Sequence, residues 1–92
     1  MRIAEVIGTV TLSKCHPTFV GATLKLVTPL SLAELRSGEP GKADTLVAWE
    51  EQGAAIGDKI ALSEGGEAAQ PFRPNDKPVD AYSAAILDQL QF

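Results

Sequence analysis

Ile3-Ala4-Glu5-Val6-Ile7-Gly8-Thr9-Val10-Thr11-Leu12 is the stretch that decides the fold class. Ala4, Val6, Gly8, Val10 and Leu12 fall on one face of an extended chain, and Glu5, Ile7, Thr9 and Thr11 on the other. A period of two carried by β-branched residues is a strand with one side toward a core. Glycine packs nothing in a strand, so Gly8 at its middle predicts a bend or a close backbone approach, as a sheet needs where it curls toward closure.

On the C-terminal side, His16-Pro17-Thr18 breaks the strand, because proline donates no ladder hydrogen bond. A second strand runs from Thr23 to Thr28, with Leu24 and Leu26 on one face, Lys25 on the other, and Pro29 closing it. Leu46 to Glu50 reads as a third strand. Lys59 to Ser63 reads as a fourth, with Ile60 and Leu62 inward and turn chemistry at Gly57-Asp58 and Gly65-Gly66. Residues 31–45 carry two glycines, a proline and five charges, the composition of a solvated connection. Within it Ser31 and Glu34 have the spacing of a capping box for one or two helical turns. Val79, Tyr82, Ile86 and Leu90 recur at three- and four-residue spacing, which predicts a C-terminal helix, with Pro78 before it and Asp76 or Asp80 as cap. The sum is an all-β fold, a small antiparallel barrel or sandwich with a short C-terminal α-helix.

Ninety-two residues support one core, so residues 1–92 are expected to form a single domain. The chain is 45% hydrophobic and 22% charged, which excludes a disordered segment. Twelve acidic against eight basic residues leave a net charge of −4, which repels phosphate backbones and anionic headgroups. No nucleic acid and no membrane partner is expected. Cys15 is the one cysteine, so no internal disulfide forms, and MRIAEVIG lacks the apolar run of a signal peptide. A reducing cytosol is the expected compartment.

No catalytic constellation emerges. Cys15-His16 falls two ligands short of a structural zinc site, and adjacent residues on an extended chain diverge too far to form a nucleophile–base pair. Glu50 and Glu51 also face apart on a strand, and a solvated edge is the expected reading. Gly65-Gly66-Glu67-Ala68-Ala69 lacks the lysine and hydroxyl of a phosphate loop and reads as a strand-ending turn. Trp49 and Phe72 lack a surrounding basic patch, so packing is expected of them before base stacking. No catalytic residue, cofactor or metal ligand is assigned.

The order of segments is informative as a whole. Val6-Ile7-Gly8-Thr9-Val10, the break from Lys14 to Pro17, Gly21 to Val27 followed by Pro29-Leu30, Leu46-Val47-Ala48, Gly53 to Asp58, and Pro78-Val79-Asp80-Ala81 with Ile86-Leu87-Asp88 together resemble the EutN/CcmL family. That resemblance, over nearly the whole chain, implies an oligonucleotide-binding-like closed barrel. It also implies a non-catalytic homopentamer at the five-fold vertices of a bacterial microcompartment shell, with hexameric shell proteins as partners, in the bacterial cytoplasm. Gly53, Ala54, Ala55, Ile56 and Gly57, with Gly65 and Ala68, are the expected subunit-interface or pore residues. Two departures stand out. Gly65-Gly66-Glu67-Ala68-Ala69 replaces the family's frequent Gly-Ser-Ser-Ala-Arg, so no role of that arginine or those serines carries over. Trp49-Glu50 replaces its usual Val-Asp. The alternative is a barrel of the same kind binding a ligand or oligosaccharide without catalysis.

Overall fold

The computed structural model describes residues 1–11, 23–72 and 80–88. The elements are β1 (Arg2–Val10), β2 (Leu24–Pro29), α1 (Leu32–Ser37), β3 (Leu46–Trp49), β4 (Lys59–Glu64), a 3₁₀ segment (Gly65–Phe72) and β5 (Ala81–Leu87). The five strands close into a barrel in the order β1-β2-β3-β5-β4, with β4 returning to β1. Every pairing is antiparallel except that of β3 with β5, which is parallel through Trp49 opposite Tyr82. The expected all-β closed barrel is therefore present. The break at His16-Pro17 and the start of the expected helix at Asp76 to Val79 lie outside the described residues.

Gly8 marks a bulge, as its position suggested. Val6 pairs with Val27 and Gly8 with Leu26, so Ile7 is the extra residue. The bulge also changes which face points inward. Val6 and Val27 join the barrel interior, whereas Val10 and Leu24, the pair at the far end of the ladder, pack in a second cluster. The single apolar face read from Ala4 onward is thus two faces over Ala4 to Val10, one on each side of the bulge, and Leu12 lies outside the described residues. The interior is filled by Ala4, Val6, Val27, Ala48, Ala54, Ile60, Leu62 and Ala81. So many small residues suit a narrow barrel, in which two opposing large side chains would collide. Ile60 and Leu62 are fully buried, and each contributes roughly 1.5–3 kcal/mol by leaving water.

The second cluster lies on the outer face, since Trp49 belongs to it while its neighbour Ala48 points into the barrel. Leu24, Trp49 and Tyr82 are covered there by Ala68 and Phe72 of the 3₁₀ segment. Trp49 and Phe72 meet edge-to-face at 4.8 Å between centroids, and Phe72 and Tyr82 at 5.5 Å. Packing within the chain, not base stacking, is what these aromatics do. The capping box forms as spaced: Ser31 Oγ accepts the Glu34 N–H and Glu34 Oε1 accepts the Ser31 N–H. Gly38 ends α1 at φ 75°.

The C-terminal expectation needs correcting. Ala81–Leu87 is not helical; it is β5, paired with β4 from Lys59–Leu87 to Glu64–Ala81. A register shift, with Ala61 opposite Ala85 and Leu62 opposite Ser83, leaves Ala84 as an extra residue. That bulge interrupts the period of two, so Tyr82 packs in the outer cluster while Ile86 lies opposite the inward Ile60, and the two do not form one stripe; Val79 and Leu90 lie outside the described residues. Alanine is the best helix former, but the preference is worth less than about 1 kcal/mol per residue, and pairing along the whole of β4 outweighs it. The α-helix described here instead follows β2.

Candidate functional site

The loop joining β3 to β4 gathers the expected interface residues Gly53, Ala54, Ala55, Ile56 and Gly57. Its geometry is set by two carboxylates. Glu50 is fully buried, a correction to the solvated edge expected of it. Its Oε1 accepts the Gln52 N–H at 2.6 Å, and its Oε2 accepts the Gly53 and Ala54 N–H groups at 3.1 Å each. Burying a carboxylate is costly unless hydrogen bonds replace its water, and here three backbone donors do so. Asp58 acts from the other end, with its Oδ2 accepting the Ala55 N–H at 2.9 Å. The Asp58 N–H donates to the Ala55 carbonyl, the Gly57 N–H to the Val6 carbonyl, and the Val6 N–H to the Asp58 carbonyl, which ties the loop to β1. Gln52 adds a side-chain bond to the Ala84 carbonyl of β5.

Gly53 at φ 80° and Gly57 at φ 95° allow the two reversals this path requires. The result is a braced loop from which the Ile56 side chain projects, 71% exposed. Ala54 is buried inside the barrel and supports the loop from below. Gly65 is exposed at the start of the 3₁₀ segment, and Ala68 is buried in the outer cluster. Glu50 and Asp58 were missed as functional positions. An acid two to four residues ahead of Gln-Gly-Ala was the available signal, because such a carboxylate can bend back to the following N–H groups.

Glu51 points the other way from Glu50, as expected of strand neighbours. It is exposed and accepts the Trp49 indole N–H at 2.8 Å. Desolvation first, and then the Glu51 and Glu50 carboxylates, push the Tyr82 hydroxyl above its ordinary pKa of 10.0. A recess of about 250 Å³ opens beside Glu50, lined by Thr23, Lys25, Glu50, Glu51, Gly53 and Ala54. It is polar and smaller than the apolar clefts of roughly 300–1,000 Å³ that hold small molecules. Among the described residues no group of three or more His, Cys, Asp or Glu could hold a metal ion. Cys15 and His16 lie outside the described residues. No helix among the described residues is long and apolar enough to cross a membrane.

Residues 1–88 match the model of the family described as ethanolamine utilisation protein EutN/carboxysome. The chain is 30% identical over 90 residues to the bacterial microcompartment shell vertex protein PduN of Salmonella typhimurium, covering 98% of each. It is 33% identical over 92 residues to the carboxysome shell vertex protein CcmL of Thermosynechococcus vestitus, covering 98% of this chain and 86% of that one. Among solved structures, the GrpN pentameric microcompartment shell protein from Rhodospirillum rubrum superposes with a TM-score of 0.82. It is 26% identical, and the match covers 100% of this chain and 99% of that one.

Proposed function

The chain belongs to the EutN/CcmL family, and from that premise we propose that it forms homopentamers closing the five-fold vertices of a bacterial microcompartment shell. The observation that carries this reading is the end-to-end likeness, in sequence to vertex proteins and in fold to a pentameric shell protein. A layer of hexagonal tiles stays flat, and five-fold points turn it into a closed polyhedron. A heterologous contact repeated around an axis supplies such a point when the rotation closes at five. Shape and buried surface are then the whole of the task, in keeping with a non-catalytic protein that works in the shell, in the bacterial cytoplasm, beside hexameric shell proteins.

The 53–57 loop packs at the boundary between subunits. Its small residues let backbones approach closely, and Ile56 is an apolar side chain that a monomer would leave in water. Native mass spectrometry of the purified protein tests the assembly: five copies are expected, and a stable monomer or dimer at micromolar concentration refutes it. Ala55→Trp should weaken the ring more than it unfolds the chain. In a strain that builds the shell, deletion should leave elongated or leaky shells; normal closed shells, with no second vertex protein present, would contradict the role.

A further inference from the structure

We infer that Glu50 is the positioning residue of the ring contact, its buried carboxylate holding residues 52–54 in the shape that a second copy of this chain packs against. The inference rests on the reading of the 53–57 loop as the subunit boundary. A barrel interior of Ala, Val, Ile and Leu gains nothing from an acid, because an apolar side chain of similar size at position 50 would avoid the cost of desolvating a carboxylate. What the acid does is local. Both of its oxygens are engaged by consecutive backbone donors, from Gln52, Gly53 and Ala54. The stretch it holds contains the positive-φ Gly53, the residue type with the most backbone freedom to lose.

Asp58 engages Ala55, and the Gly57 and Asp58 N–H groups go to carbonyls. The backbone donors of residues 52–55, 57 and 58 are thus satisfied inside the chain before any partner arrives. The loop therefore meets its neighbour through shape and through Ile56, not through the N–H groups of those residues. A contact surface ordered in advance loses little entropy on association, which is where preorganisation raises affinity.

The test compares Glu50→Gln, Glu50→Asp, Ile60→Val and Ala55→Trp by native mass across a dilution series, with thermal unfolding and amide exchange at residues 52–54. Glu50→Gln keeps the side-chain size and loses an acceptor oxygen. It should raise the concentration of half-dissociation at least about tenfold and speed exchange at 52–54, as loss of a charge-assisted hydrogen bond does. Glu50→Asp keeps the carboxylate and should restore the ring. Ile60→Val thins the core without touching the loop and should keep the ring at a comparable loss of thermal midpoint. Equal dissociation of Glu50→Gln and Ile60→Val at matched midpoints overturns the inference. If Ala55→Trp breaks the ring while Glu50→Gln does not, the boundary reading stands and only the positioning role fails. If Ala55→Trp leaves the ring intact, the boundary reading itself fails. Should Glu50→Gln not fold, Gly53→Ala decides, because an added Cβ there meets no atom within 4 Å and strains only the φ 80° backbone. An unweakened ring in that variant overturns the inference.

Discussion

Replacing Gly41 with alanine should destabilise the protein through crowding alone. Gly41 does not have the positive φ that would strain an alanine backbone, so the cost is one of space. An added Cβ would sit 2.5 Å from Thr28 Cγ2, 2.9 Å from Leu30 Cδ2 and 3.0 Å from the Pro29 carbonyl oxygen. Carbon atoms pack at roughly 3.5–4.0 Å, so the first two contacts are about an ångström too short. Thr28 is buried and Pro29 is held opposite Ala4 in the β1–β2 ladder, which leaves little room for relief. Overpacking of this kind costs about 1–3 kcal/mol. At about 4–8 °C per kcal/mol for a chain of this size, a 2 kcal/mol penalty lowers the thermal midpoint by about 8–16 °C. The clash can be assigned by a double-mutant cycle, because Thr28→Ser removes Cγ2 and with it the shortest contact. In that background Gly41→Ala should cost about 1 kcal/mol less. Thermal and urea unfolding at one fixed protein concentration measure all four variants, since an oligomer's midpoint shifts with concentration. A penalty below about 0.5 kcal/mol, or the same penalty with and without Thr28 Cγ2, would refute the reasoning.

Ser83 Oγ is fully buried without a hydrogen-bond partner, so Ser83→Ala should raise stability by about 1 kcal/mol in the same unfolding assay. Tyr82 is the one tyrosine, so near-ultraviolet absorbance during alkaline titration reads it alone, and its midpoint should lie above 10.0. Its raised pKa means that stability is unaffected below the unfolded value and falls as pH rises through the folded one, an alkaline loss that Tyr82→Phe should reduce. Hydrogen bonding to the Ser31 N–H, with further help from the Ser31 hydroxyl and from Lys42, holds the Glu34 carboxyl below its ordinary 4.5. Its contribution is therefore present above about pH 4.5 and lost as pH falls through the lower folded value, and Glu34→Gln should flatten that part of the acid-unfolding curve.

Local rules were enough for β1 to β4, for the capping box at Ser31 and Glu34, and for the turns at Gly53, Gly57 and Gly65. Each depends on neighbours within about four residues along the chain, so the sequence carries the whole interaction. The order of those segments was also enough to name the family. Closure of the barrel was decided elsewhere. Ala81–Leu87 has a helical spacing and alanine content, yet it becomes a strand because β4 and β3 present backbone donors and acceptors that only another strand can satisfy. The same holds for the side chains. Leu24 faces outward by simple alternation from Val27, but Val10 joins it only because the bulge at Ile7 reverses the β1 alternation, and an outer core then forms because the 3₁₀ segment brings Ala68 and Phe72 over it. Glu50 shows the limit most sharply: its sequence neighbours suggest a solvated acid, and its burial follows from the loop that folds back over it. Where a residue's partners are chosen by the closing of a sheet, the chain alone states the residue and the tertiary structure states its role.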